Sequence, residues 1–214
     1  MTIDAANLKR MFEAIAVAIE ADKDRLCQLD GVIGDADHGI AMELGFNAVR
    51  DALAPLDLAA TEPTALLNTA AKSFLNAVGA SSGPLYATAF MRAASAVKGK
   101  ATLVEADFIA LFQAMAQGIK DRGKAEPGEK TMVDAWQPAA EAAAAANLAG
   151  KTLAESLKAA LAAAESGAEA TKDMIAAKGR SSRLGERSLG HMDPGAASAV
   201  TVIGAMTKSL TSAL

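Results

Sequence analysis

The feature that most constrains this chain is the recurrence, from end to end, of apolar residues at three- and four-residue steps, with no two-residue alternation to compete with it. Over 3–26, Leu8, Met11, Phe12, Ile15, Ile19 and Leu26 keep the step of a helix with one buried face. The pattern returns over 40–53, ending before Pro55, and over 63–78, with Thr61 as cap and Pro63 in the first turn. It returns again over 85–97, and from the capping-box pattern Thr102-Leu103-Val104-Glu105, with Thr102 as cap, to about 120. A sixth helix is expected over 131–147, with Pro138 bending it or shifting its start. A seventh, rich in alanine, spans 153–178 behind a second capping box, Thr152-Leu153-Ala154-Glu155. Asp193-Pro194 reads as N-cap and first residue of an eighth helix reaching 213. No segment pairs alternation with β-branched or aromatic enrichment. The expectation is an all-α fold of eight antiparallel helices in one domain covering 1–214.

A net charge of −4 and an aromatic content of 4% exclude the basic stripe or stacking platform of a nucleic-acid surface. Cys27 is the only cysteine, so no intrachain disulfide is possible. No apolar run is long enough to cross a bilayer and no signal core is visible, which places the expected setting in the cytoplasm, away from membranes.

The chemistry is concentrated in four connections. Leu29-Asp30-Gly31-Val32-Ile33-Gly34-Asp35-Ala36-Asp37-His38-Gly39 puts three carboxylates and a histidine into a glycine-punctuated turn between two helices. Ionised carboxylates so close repel one another unless a cation sits among them. An all-oxygen set suits Mg2+ better than zinc. The plainer alternative is a solvated loop with a capping Asp. His38 falls at the start of the second helix, where free N–H groups favour an anion. Gly79-Ala80-Ser81-Ser82-Gly83 opens the fourth helix as a phosphate cradle or as an ordinary connector.

The loop 122–131 imitates a P-loop, but Glu129 separates Gly128 from Lys130 and a helix precedes it, so that reading fails. Asp134, just beyond, is expected to serve the helix dipole rather than the site. The stretch 179–195 gathers Arg180, Arg183, Arg187, His191 and Asp193 in a connection longer than helix bundles usually need. With neighbouring helices antiparallel, all four connections follow odd-numbered helices and fall at one end. Carboxylates, small-residue turns, helix starts and cations at one end suit a metal-bound polyphosphate, and phosphoryl transfer is the leading reaction class.

In four ordered motifs the chain resembles the L subunit family of dihydroxyacetone kinases, the nucleotide-binding component. These are Gly34-Asp35-Ala36-Asp37-His38-Gly39; Gly79-Ala80-Ser81-Ser82-Gly83-Pro84-Leu85; Gly123-Lys124-Ala125-Glu126-Pro127-Gly128-Glu129-Lys130-Thr131-Met132; and Gly179-Arg180-Ser181, continued by Gly185-Glu186-Arg187-Ser188-Leu189-Gly190-His191-Met192-Asp193-Pro194-Gly195. The resemblance covers nearly the whole chain. It implies a barrel of eight amphipathic antiparallel helices with ADP or ATP and two Mg2+ ions at one end. By resemblance Asp30, Asp35 and Asp37 hold magnesium. His38, Gly39, Ile40 and Ala41, with Gly79, Ala80 and Ser81, meet the phosphates. Gly123 and Met132 border the nucleoside, Arg180 reaches a phosphate, and Asp193, Pro194 and Gly195 complete the pocket.

The family usually has glycine where this chain has Ala36. If that position needs positive φ, alanine is strained there, and a modest shift of the turn is expected rather than loss of metal. The resemblance further implies that dihydroxyacetone is held by a histidine of a separate K subunit, a role that neither His38 nor His191 takes; no catalytic residue is assigned in this chain. ADP is expected to stay bound and be recharged by a phosphotransferase-system protein. The alternatives are an ATP-exchanging kinase subunit for a related ketose, a nucleotide-sensing regulator and a metal-dependent phosphohydrolase. A fatty-acid kinase type domain is weaker, since it lacks the histidine at position 38.

Overall fold

The computed structural model describes residues 2–79 and 81–211. Among them are eight α-helices: α1 (Ala5–Ile33), α2 (His38–Leu53), α3 (Pro63–Ala77), α4 (Ser82–Ala96), α5 (Glu105–Gly123), α6 (Val133–Leu148), α7 (Leu153–Ala170) and α8 (Pro194–Thr211). Two 3-10 segments, Thr171–Asp173 and Ser181–Ser188, lie between α7 and α8. Extended pairing among the described residues is limited to one antiparallel bridge, Ile3 with Leu103.

Several boundaries differ from those expected. α1 runs on through Gly31 to Ile33, so Asp30 sits in its last turn and not in a loop. One interior glycine costs about 1 kcal/mol in a helix, too little to stop one whose face is buried from Leu8 to Ile33. α3 takes Glu62 as N-cap, while the Thr61 hydroxyl donates to the Asp57 carbonyl. α4 starts three residues early, taking Ser82, Gly83 and Pro84 into its first turn, where a proline lacks no needed donor.

The first capping box shifts register because Leu103 is tied to Ile3. The N-cap is Val104, whose N–H donates to Asp107 at 3.0 Å, and Glu105 instead accepts from the Leu153 N–H at 2.7 Å. The second box forms at Thr152 and Glu155 as expected. α6 begins at Val133 and keeps Pro138 inside it. α7 ends at Ala170, eight residues short of 178, as the Thr171 hydroxyl turns back onto the Ala168 carbonyl at 2.6 Å. Asp193 caps α8, accepting the Ala196 N–H at 2.7 Å; the expected end at 213 lies outside the described residues.

Each helix packs on its neighbour in sequence and α8 packs back on α1, which closes the eight into a ring. Every aromatic residue of the chain is buried in that ring. Phe46 meets Phe74, Tyr86 and Phe90 edge-on, and Phe12 meets Phe90 in the same way with ring centroids 5.2 Å apart. Tyr86 leads on to Trp136 and Trp136 to Phe112. Between helices the contacts use small residues. Gly167 of α7 lies against the Asp134 carbonyl of α6, where a Cβ would come within 1.9 Å, so these backbones approach as only glycine allows. No helix among the described residues is long and apolar enough to cross a membrane.

Candidate functional site

One end of the ring opens into a cleft of about 740 Å³, within the range of small-molecule sites. It collects the ends of α1, α3 and α5 and the starts of α2, α4, α6 and α8, represented by Asp30, Ala77, Gly123, His38, Ser82, Val133 and Pro194. The four connections singled out in the sequence therefore share one cavity, because the connections alternate between the ends of an antiparallel ring.

The acidic corner is built by the α1–α2 junction. Asp30 is buried, and its Oδ2 accepts the N–H of Asp37 at 2.9 Å and of His38 at 3.2 Å, so it caps α2 from the neighbouring helix. One carboxylate oxygen each from Asp30, Asp35 and Asp37 lie within 4.8 Å of one another. All three are hard oxygen donors, the set that magnesium prefers, and Asp35 and Asp37 are exposed enough to exchange partners. Ala36 between them has φ +63°, the left-handed conformation suspected for this position. The Arg180 guanidinium lies on Asp35, with Asp37 3.9 Å away. A cation thus already sits against this carboxylate group.

His38 is half-buried, and its Nε2 lies 2.8 Å from the Ser198 hydroxyl, which donates to the Gly195 carbonyl at 3.0 Å. Burial holds its pKa below the ordinary value, with the Asp30 carboxylate pulling the other way. At the start of α8 Asp193 is buried, and burial pushes its carboxyl up to about 7. The Ala196 N–H and the Lys130 ammonium oppose that shift, while Asp134 adds to it. Asp134 itself accepts the N–H of Gly128 at 2.5 Å and of Thr131 at 2.7 Å. It orders the loop before α6, a role more specific than the helix-dipole one expected of it.

Of the residues named from the sequence, Asp30, Asp35, Asp37, His38, Ala41, Gly79, Ser81, Gly123, Met132, Arg180, Asp193, Pro194 and Gly195 line the cleft. Gly39 does not; it is buried against α1, where a Cβ would come within 2.1 Å of the Lys23 carbonyl. Ile40 lies outside the lining and is 49% exposed. Ala80 lies outside the described residues. Sequence reasoning missed Leu44, Leu85, Ile119 and Ala125, which add apolar lining to the cleft. It also missed Lys130 and Lys178. The apolar residues carry no signal of their own, since each belongs to the regular apolar pattern of its helix or loop; Lys130 was visible in a failed P-loop and inside the third motif, with no role of its own.

The chain matches the DAK2 domain family over residues 32–208. It is 41% identical over 177 residues to the PEP-dependent dihydroxyacetone kinase ADP-binding subunit DhaL of Escherichia coli (strain K12), with 83% of each chain covered. It is 36% identical over 212 residues to the ADP-binding subunit DhaL of PEP-dependent dihydroxyacetone kinase 1 of Listeria innocua, with 98% of each covered. Among solved structures it is similar to the dihydroxyacetone kinase from C. freundii in complex with AMP-PNP and Mg2+. That match has a TM-score of 0.73 and 26% identity, and covers 98% of this chain and 35% of the other. The present chain thus spans about a third of that kinase.

Proposed function

We infer the function of this chain from the family it belongs to, that of the DAK2 domain, together with the chemistry of its cleft. It is a nucleotide-binding phosphotransferase subunit of dihydroxyacetone kinase. It binds ADP or ATP with Mg2+ and acts with a partner subunit of the kinase, in a phosphotransferase-system-dependent reaction.

The observation that carries this reading is the meeting of four helix N-termini with three carboxylates at one mouth. Helix starts favour anions and carboxylates favour cations, and a nucleotide polyphosphate with its metal satisfies both. Asp30, Asp35 and Asp37 are the residues that would hold Mg2+, as two ions, which when bound neutralises charge on phosphate oxygens. Arg180 offers a planar fork of donors to a phosphate. The start of α4, around Gly79 and Ser81, supplies N–H groups and a hydroxyl, and α2 presents the positive end of its dipole, with His38 and Ala41 on the lining. His38 contributes as a neutral imidazole fixed by Ser198. Leu85, Ile119 and Ala125, with Gly123 and Met132, offer the apolar lining that suits a nucleoside base, and Asp193, Pro194 and Gly195 complete the pocket.

Dihydroxyacetone itself is held on the separate K subunit, so this chain presents the phosphoryl group across its open end. We favour retained ADP, recharged by a phosphotransferase-system protein, over exchanging ATP. The PEP-dependent ADP-binding subunits of Escherichia coli and Listeria innocua are 41% and 36% identical to this chain, whereas the Mycolicibacterium smegmatis L-erythrulose 1-kinase and the human triokinase/FMN cyclase are 33% and 32% identical.

Native mass spectrometry of the purified chain in magnesium, before and after dialysis, tests this. An adduct of ADP with magnesium that survives dialysis is the expected result. Reversible uptake of ATP by an empty protein would replace the retained-ADP regime with ATP exchange. No nucleotide binding under any magnesium condition would overturn the reading.

A further inference from the structure

Lys130 has no part in the scheme above. It is 1% exposed, and its ammonium donates to the backbone carbonyls of Thr171 and His191. Those residues stand at the two ends of the segment 171–193, which leaves the barrel after α7 and re-enters it at α8. Two more bonds cross the same neck. The Asp193 N–H donates to the Thr171 hydroxyl at 2.9 Å, and the Gly190 N–H donates to the Lys172 carbonyl at 2.8 Å. The loop bearing Lys130 also grips the outgoing strand of the segment, through Ala177 N–H to the Glu129 carbonyl at 3.1 Å and a Lys178–Glu129 ion pair at 3.5 Å.

A buried ammonium is costly unless its donors are paired. Here the pairing comes from carbonyls on opposite sides of the neck, with the carboxylates of Asp193, Asp134 and Asp173 close enough to be felt. The backbone at Lys130 is left-handed, φ +59°, a conformation lysine keeps only where its surroundings impose it. The side chain has therefore been placed, at some conformational cost, where one cation can close the segment. That segment brings Arg180, Lys178 and Asp193 to the cleft.

We infer that Lys130 is a positioning residue: its ammonium draws together the two ends of segment 171–193 and so sets Arg180 against the nucleotide site. The affinity consequences rest on the functional reading above, while the closure of the segment does not.

The test compares wild type, Lys130→Met, Arg180→Met and the double variant by hydrogen–deuterium exchange without nucleotide and by titration with Mg-ADP. In Lys130→Met, peptides within 172–192 are expected to exchange about tenfold faster or more, with α1 to α5 unchanged. Mg-ADP affinity is expected to fall about tenfold, the equivalent of one charged hydrogen bond. Since Lys130 acts through Arg180, the double variant should bind within about twofold of Arg180→Met alone. Wild-type exchange rates across 172–192, or losses that multiply in the double variant, would overturn the inference.

If Lys130→Met loses protection in every helix, the same readings are made on Thr171→Val, which removes the neck bond to Asp193 and keeps the ammonium. Faster exchange in the segment accompanied by weaker Mg-ADP binding is then required; faster exchange with unchanged affinity overturns the inference. A wild-type chain that does not bind Mg-ADP sinks the functional reading instead and leaves the exchange comparison standing.

Discussion

Among the described residues, three other than glycine hold left-handed backbone, Ala36, Lys124 and Lys130, and each lies in a connection at the cleft end of the barrel. For an L-residue that conformation costs roughly 1–2 kcal/mol, part of which is offset in alanine by its less flexible unfolded chain. Ala36→Gly is therefore expected to raise stability by about 1 kcal/mol, a rise in thermal midpoint of about 2–4 °C for a chain of this size, read by calorimetry. Its magnesium affinity should stay within about threefold of wild type, since the flanking carboxylates remain.

Asp193 carries a pH prediction. Its folded carboxyl titrates near 7 against an ordinary value of 3.8, so between those values the folded chain keeps a proton that the unfolded chain has lost. Folding takes up a proton there, and the stability associated with this group falls as pH rises from about 4 to about 7. Urea unfolding of wild type and Asp193→Asn at pH 4, 5.5 and 7 should show the wild type losing ground to the variant as pH rises. Parallel curves would refute the assignment. The carboxylates were legible in the sequence because they lie within one short motif, and the strain at Ala36 was raised only by the resemblance, whose family usually has glycine there. The raised Asp193 was not legible, since it depends on burial between α8 and the Lys130 loop.

At the scale of elements, the geometry of the acidic corner depends on how closely α2 approaches α1. Gly39 makes that approach: a Cβ there would meet the Lys23 carbonyl and lie 2.8 Å from the Cys27 sulfur. Because the nearest obstacle is backbone, Gly39→Ala must separate the helices, at an expected cost of about 1–3 kcal/mol. The shift would pull the His38 and Asp37 N–H groups away from Asp30, so magnesium affinity, measured by Mn2+ competition, should fall along with thermal stability. A variant with lower stability and unchanged metal affinity would show that the corner does not depend on this contact. Helix periodicity located α2 and the second capping box well, and it found α1 but ended it seven residues early. It misplaced the start of α5 because the Ile3–Leu103 bridge holds the chain extended to Val104, a contact across about a hundred residues that no local pattern records.

For the whole molecule, the closed ring of eight helices around a single aromatic core has no internal boundary at which the chain would divide. We expect one cooperative unfolding transition, with calorimetric and van't Hoff enthalpies equal; two separated transitions would refute the single domain. Mg-ADP at about a hundred times its dissociation constant should add about 2.7 kcal/mol and raise the midpoint as a whole, and chelation of the metal should abolish the gain.

What the sequence determined by itself is the class of fold, the number of helices and the end of the barrel at which the chemistry lies. Helical period and capping are local, and in an antiparallel ring the parity of the connections follows from their order. Only the tertiary structure decided which side chains meet. Asp30 caps a helix other than its own, Arg180 reaches Asp35 across the width of the chain, and one buried lysine fastens the two ends of the segment that carries Arg180. The physical reason is that burial and long-range hydrogen bonds exist only once the ring has closed.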